Sequence, residues 1–295
     1  MRRIDRHSDL SSERKMNDMD DLLRRQLQIH ACKIRMGIIE GVYNAKSGHP
    51  GGSLSIADVL TYLYFTRMHV YPDQPDLAER DRFVLSKGHT APALYATLAE
   101  RGFFPMEEMK TLRHIGAELQ GHPCISIPGV DMSSGSLGQG ISAAAGMALA
   151  GKHRGDNYRV YTILGDGEIE EGQVWEAAMF SAHYGLDNLT AIVDNNGLQI
   201  DGRIDQVMNP YPITDKLAAF GLHVIEIDGH DFRQMEQAFA EAKATKGVPT
   251  AIVMKTVKGK DVSYMENQAA WHGKAPNDEE YARGMADLAA VRERL

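Results

Sequence analysis

Between Asp18 and Ala45, apolar residues recur at steps of three and four (Leu23, Leu27, Ala31, Ile34, Ile38, Val42), the spacing of one long amphipathic helix. The pattern stops at SGHPGGS, residues 47–53, where glycine and proline punctuate the chain. A second helix is expected over 55–68, followed by a Pro/Asp loop (YPDQPD) and a short apolar strand, Arg82–Leu85. The middle of the chain then alternates. A helix of small residues over 138–152 precedes a strand over 158–164 that runs into Gly-Asp-Gly. A helix over 171–185 precedes a strand over 189–194 that runs into Asn-Asn-Gly. A helix near 214–220, a strand over 223–228, a helix over 231–244 and a strand over 250–257 complete the series. The stretch 277–295 reads as a last helix, capped by Asn277 ahead of acidic first-turn residues. Short, nearly all-apolar strands alternating with helices predict an α/β fold: a doubly wound, mainly parallel sheet with helices on both faces. About five such strands fit one domain over residues 18–295, preceded by a flexible arm over 1–17 that holds few apolar residues.

Composition narrows the class. The chain has 295 residues, 43% hydrophobic and 24% charged, with 28 Gly and 11 Pro, which is ordinary globular usage. Its 32 Lys+Arg against 40 Asp+Glu leave a net charge of −8, which argues against a nucleic-acid or anionic-membrane surface. No apolar run is long enough to span a bilayer, and the charged N-terminus lacks a signal core, so a cytoplasmic protein is expected. Cys32 and Cys124 are too few for a disulfide scaffold and have no metal-ligand spacing.

Candidate chemistry lies where the strands end, because ligands of doubly wound sheets bind beyond the carboxyl ends of the strands. Gly165-Asp166-Gly167 and Asp194-Asn195-Asn196-Gly197 are polar motifs at two such ends. If those strands are neighbours, Asp166 and Asn196 meet at one rim. A carboxylate, an amide oxygen and a nearby carbonyl suit Mg²⁺, which takes its remaining ligands from phosphate and water. Each motif alone would also serve as a simple turn. His49, His89, His122 and His272 all sit beside or near glycine in loops or at helix starts. They form a plausible set of proton donors and acceptors. A metal-ligand role is the weaker alternative, since no pair has helical i, i+4 spacing. Gly135-Ser136-Leu137-Gly138-Gln139-Gly140 leads into the small-residue helix. It could cradle phosphate, let that helix pack closely, or grip a flat heteroaromatic ring.

Taken together, GDG followed by NN, with SGHPGG, LSKGH (85–89), GSLGQG and WHGKAP in this order, resembles the N-terminal, pyrophosphate-binding half of transketolase, from about Lys33 to Pro276. The resemblance implies thiamine diphosphate and Mg²⁺ as cofactors. It would place Asp166, Asn196 and the Leu198 carbonyl on the metal, and Gly165, Gly167, His89, Lys258 and His272 on the phosphate side. Gly135, Ser136 and Leu137 would meet the aminopyrimidine, and His49, His122 and His272 the substrate hydroxyls and developing oxyanion. Glu171 would be the family's buried acid linking the two cofactor sites of a dimer; its simpler reading is a helix N-terminal carboxylate favoured by the dipole.

The family's second, pyrimidine-binding domain and its activating glutamate have no counterpart here. The resemblance therefore implies the N-terminal subunit of a split transketolase. Such a chain would move a two-carbon ketol unit from a ketose to an aldose only with a separate C-terminal subunit, in an A2B2 assembly. Rival readings are the α-subunit of a 2-oxo-acid dehydrogenase, a deoxyxylulose-phosphate synthase, a specialised ketol transferase for an unusual sugar, and a degenerate cofactor-binding module.

Overall fold

A computed structural model describes residues 19–295; the arm expected over 1–17 lies outside them. Five strands form one all-parallel sheet: β1 (Arg82–Leu85), β2 (Val160–Gly165), β3 (Leu189–Asn195), β6 (His223–Asp228) and β7 (Thr250–Lys255), in the spatial order β1-β2-β3-β7-β6. Between β3 and β6, a two-stranded ribbon of β4 (Leu198–Gln199) and β5 (Gly202–Arg203) folds over the sheet's carboxyl edge. The expected α/β architecture is thus present.

Although the strands are apolar nearly throughout, their side chains still alternate between two layers. Tyr161, Ile163, Ile192, Ile252 and Met254 join one large core with α1 (Asp21–Ala45), α3 (Ala57–Tyr62), α4 (Ala91–Arg101) and α9 (Phe232–Ala244). Leu164, Ala191, Val193, Ala251 and Val253 face the other way, onto α5 (Gln139–Arg154), α6 (Gly172–His183) and α8 (Ile213–Ala219). Helices α2 (Pro50–Leu54), α7 (Ile204–Val207) and α10 (Asp278–Glu293) complete the set among the described residues.

The sequence pattern locates every strand of the main sheet to within two residues. Three helical expectations need correction. First, SGHPGGS is not only a stop: α1 ends at a left-handed Lys46, and Pro50 then opens α2, because proline's fixed φ suits a first helical turn. Second, the helix expected over 55–68 is α3 continued by a π-helical turn, Leu63–Arg67. Third, α4 has no counterpart in the apolar periodicity. Its sequence, APALYATLAER, is buried along nearly all its length, so no polar face marks it. At the far end, Asn277 caps α10 in a reciprocal capping box with Glu280, as the sequence suggests.

Candidate active site

The carboxyl ends of β1, β2, β3 and β7 open into a cavity of about 340 Å³. Its lining brings together Asp166, Asn196, Leu198, Lys258, three of the four histidines, and glycines of three motifs, Gly52, Gly135, Gly165 and Gly167. β2 and β3 are adjacent, with Gly165 opposite Asp194, so the two motifs meet at one rim.

Asp166 is buried and held from two sides. Its Oδ1 accepts from the Gly167 N–H at 3.0 Å, and its Oδ2 from the Gly197 N–H at 2.6 Å. The second bond requires a left-handed turn at Gly197 (φ +74°), which glycine adopts without penalty. Asn196 donates through Nδ2 to Asp194 Oδ2 at 3.0 Å, which fixes its amide so that Oδ1 is the free acceptor end; Oδ1 takes the Leu198 N–H at 3.1 Å. The Leu198 carbonyl in turn accepts from Lys258 Nζ at 3.2 Å.

Two buried charges that spacing gives no sign of stand behind these groups. Asp194 is completely buried and accepts from Lys87 Nζ at 2.5 Å, Ser55 Oγ at 2.7 Å and Thr256 Oγ1. Lys87 also reaches the Gly52 carbonyl at 3.0 Å, which ties α2 to the sheet end. Glu168 is the second. Its carboxylate accepts from Ser86 Oγ at 2.5 Å and from the N–H groups of Gly138 at 2.9 Å and Gly165 at 3.0 Å. By taking the Gly138 amide, Glu168 occupies the place a phosphate would have had at the start of α5. Of the three readings of that turn, close packing is realised: a Cβ at Gly140 would stand 2.5 Å from Ser86 Cα.

His49, His89 and His272 form a triangle, with ring centroids 5.1 Å (His49–His89), 5.4 Å (His49–His272) and 5.2 Å (His89–His272) apart. His49 precedes the first turn of α2, and its buried Nδ1 has no partner among the described residues. Burial, then neighbouring positive charge, lowers all three: His49 to about 4, His272 to about 3, and His89 well below the imidazole range. All three are therefore neutral at physiological pH. Lys258 Nζ lies 3.0 Å from His272 Nδ1. An ammonium has only donors, so Nδ1 accepts and the His272 proton sits on Nε2.

Burial also moves the charged groups. Burial and the nearby Asp194 push the Asp166 carboxyl up to about 7. Burial and the neighbouring Lys87 pull Lys258 down to about 8.

Three of the expected site residues sit elsewhere than the sequence suggests. His122 is exposed and does not line the cavity; its ring lies beyond Gly135, where a Cβ would meet His122 Cδ2 at 3.2 Å. Ser136 is exposed and outside the lining. Glu171 is exposed at the start of α6 and caps nothing, so within this chain it is not the buried acid. Glu168 is buried instead, because the single tight turn Glu168–Glu170 carries the two acids to opposite environments.

The donor set fits a hard cation that completes its shell with phosphate and water. Among the described residues no cluster of three His, Cys, Asp or Glu could hold a metal alone. One carboxylate, one oriented amide and one carbonyl-bearing residue line the same cavity instead, the oxygen donor types Mg²⁺ prefers. Lys258 and the unpartnered His49 Nδ1 suit an anion and a polar ligand in the same cavity.

Comparison with known proteins agrees with this arrangement. The family model for the transketolase thiamine diphosphate binding domain matches residues 26–289. The chain is 43% identical over 269 residues to one subunit of an apulose-4-phosphate transketolase from Phocaeicola vulgatus, covering 91% of this chain and 96% of that one. It is 46% identical over 263 residues to a 6-deoxy-6-sulfo-D-fructose transketolase subunit of Clostridium sp., covering 89% and 96%. Among solved structures, transketolase from Campylobacter jejuni superposes with a TM-score of 0.85 at 29% identity, over 94% of this chain but 46% of that one. Transketolase from Leishmania mexicana gives 0.84 at 33% identity, over 91% and 44%.

Proposed function

The chain belongs to the transketolase family, and from that premise we propose that it is the diphosphate-binding subunit of a two-chain transketolase. With a separately encoded partner that supplies the pyrimidine-binding half, it transfers a two-carbon ketol unit from a ketose to an aldose. The two relatives matched over nearly their whole length are both named as transketolase subunits, and the full-length family structures are about twice as long as this chain. The observation that carries the reading is the convergence of Asp166, Asn196 and the Leu198 carbonyl on a cavity walled by three neutral histidines.

Thiamine diphosphate, when bound, supplies the nucleophilic carbon on which the two-carbon unit travels. The chain's own residues do the rest. Asp166, Asn196 Oδ1 and the Leu198 carbonyl hold Mg²⁺; Lys258, His89, His272, Gly165 and Gly167 take the diphosphate side. Gly135, Ser136 and Leu137 lie toward the aminopyrimidine. His272 offers Nε2–H as a hydrogen-bond donor to substrate oxygen, and neutral His49 provides an unpartnered nitrogen that can accept or pass a proton. His122, exposed at the rim, meets the part of the substrate that extends toward the partner. Glu171, exposed here, faces the interface of an A2B2 assembly, where burial would come from the partner chain. The setting we propose is cytoplasmic, where thiols such as Cys32 and Cys124 stay reduced.

The test is reconstitution. This chain and a second chain resembling the rest of a transketolase are assayed separately and together against a panel of ketose donors, with Mg²⁺ and with chelator. Ketol transfer is expected only from the pair, only with thiamine diphosphate and metal. Full-rate turnover by this chain alone, or decarboxylation of a 2-oxo acid by the pair instead, would overturn the reading.

A further inference from the structure

A second group of ionisable side chains lies in the interior behind the cavity, between α1, α3 and the loops that follow β6 and β7. Arg35 of α1 donates through Nη1 and Nη2 to Asp58 Oδ1 at 3.0 Å and Oδ2 at 2.6 Å, and its Nη1 lies 3.3 Å from Asp261 Oδ2. Asp58 Oδ2 also stands 2.7 Å from His230 Nδ1. The other nitrogen of that ring, Nε2, accepts the Val257 N–H at 2.9 Å. Because Nε2 accepts, the ring is neutral with its proton on Nδ1, pointing at Asp58.

The charge balance of this group does not need His230. Arg35 already has two carboxylates within reach, Asp58 buried and Asp261 partly so. What His230 adds is the bond to Val257, and Val257 is the residue before Lys258. The parallel ladder of β7 ends at Lys255, so at Val257 the backbone has left the sheet. Its N–H is held by an imidazole whose tautomer Asp58 sets. From there Lys258 runs buried to Leu198 O and His272 Nδ1. A lysine stem has four rotatable bonds, so where its ammonium points depends on how firmly its own backbone is anchored.

We propose that His230 is a positioning residue for the cofactor site: the chain Asp58–His230–Val257 fixes the backbone from which Lys258 reaches the diphosphate. The inference rests on the reading that this cavity takes thiamine diphosphate with Mg²⁺. Asp58 acts on the imidazole as an outer carboxylate acts on a metal-bound histidine, selecting the tautomer and locking the ring plane. Here the locked nitrogen orients a peptide N–H rather than a metal.

Two variants of the reconstituted pair separate this role from plain stability. In His230→Gln the side-chain oxygen stands near the place of Nε2 and keeps an acceptor for Val257. In His230→Asn the shorter amide keeps a donor near Asp58 but leaves Val257 without its acceptor. The expected result is cofactor affinity within about threefold of wild type for Gln and about tenfold weaker for Asn, measured calorimetrically with Mg–thiamine diphosphate. Faster hydrogen exchange at the Val257 amide is expected in Asn only. Asn binding as tightly as wild type, or Gln and Asn weakened equally, overturns the proposal. If the Asn variant does not fold, the nitrogen-15 shifts of His230 in the wild-type chain decide. A protonated Nδ1 with hydrogen-bonded Nε2 supports the proposal, and the opposite tautomer overturns it. A wild-type pair that binds no thiamine diphosphate would instead refute the cofactor reading, while exchange at Val257 and the tautomer would still report on the relay.

Discussion

Two clusters of buried charge lie close together in this chain, and they are pushed in opposite directions. Around Arg35 and Asp58, burial opposes ionisation, yet the mutual attraction of the pair and the His230 bond outweigh it: Asp58 is held below the usual carboxylate range and Arg35 above its own. At the cavity burial wins for the groups that line it, whereas Asp194 behind them is held low by Lys87. Asp166 and Glu168 are raised, Lys258 and the three histidines lowered, each toward its uncharged form. The first cluster is complete within the chain. The second lines an open cavity with perturbed ionisable groups, the pattern of sites built for a charged ligand. The direction of the shift therefore separates the groups that line the cavity from the paired carboxylates behind them, Asp58 and Asp194 alike, more clearly than burial does.

The largest test of this contrast is Asp166→Asn. The proposed metal site would lose its carboxylate, so Mg²⁺-dependent binding of thiamine diphosphate to the assembled pair should fall by about a hundredfold or more, read by calorimetry. Unchanged affinity would refute the metal assignment. The same variant should also remove a pH dependence from the stability of the ligand-free chain. Asp166 rises from 3.8 to about 7 on folding. Its contribution is therefore fully favourable below pH 3.8 and is lost as pH rises toward 7. Melting curves should show wild type losing stability relative to the Asn variant across that interval, with a constant difference above it.

The next largest is Asp58→Asn, which leaves Arg35 buried with Asp261 alone. Breaking such a pair costs about 3–5 kcal/mol, and urea unfolding should show a loss of that order at neutral pH. The pH slope should run opposite to that of Asp166. Because Asp58 is depressed, its stabilisation is present above pH 3.8 and fades as pH falls below it, so the gap between wild type and variant should narrow in acid. Parallel slopes for the two variants would erase the distinction between the clusters.

The smallest effect belongs to a pair outside both. Arg233 and Asp21 meet at 2.9 Å on the surface, with side chains 44% and 74% exposed. Arg233→Ala should change stability by no more than about 1 kcal/mol, with no effect on cofactor affinity. A larger loss would show that exposure is a poor guide to which charges matter here.

The same contrast explains what is legible in the sequence. The strands are readable because each is a short, mostly apolar run, and the Gly, Asp and Asn residues that end β2 and β3 are themselves part of the site. Asp166 and Asn196 can be paired once β2 and β3 are taken as neighbours. Lys87 and Asp194 lie 107 positions apart, and Asp58 and His230 lie 172 apart, so no local spacing marks either contact. Lys87 stands inside the LSKGH stretch, but only the fold shows its ammonium turned inward to a carboxylate. Glu168 and Glu171 differ by a single turn, and which of them is buried depends on how that turn coils. His122 groups with the other histidines through its glycine neighbour, a cue shared by rim and cavity alike.

The strand order has a consequence for how the chain is made. β7, the last of the five strands in sequence, lies between β3 and β6. During synthesis β6 emerges before it and has no neighbour to pair with, while β3 presents an open hydrogen-bonding edge. Only when Thr250–Lys255 leaves the ribosome can the sheet close, and the next residues deliver Val257 and Lys258. A nascent chain short of this point carries an unpaired apolar edge of the kind that invites aggregation or chaperone capture. The sheet thus closes just before Lys258 and His272 join the cavity, so a product arrested before β7 would be both unprotected and unable to hold its ligand.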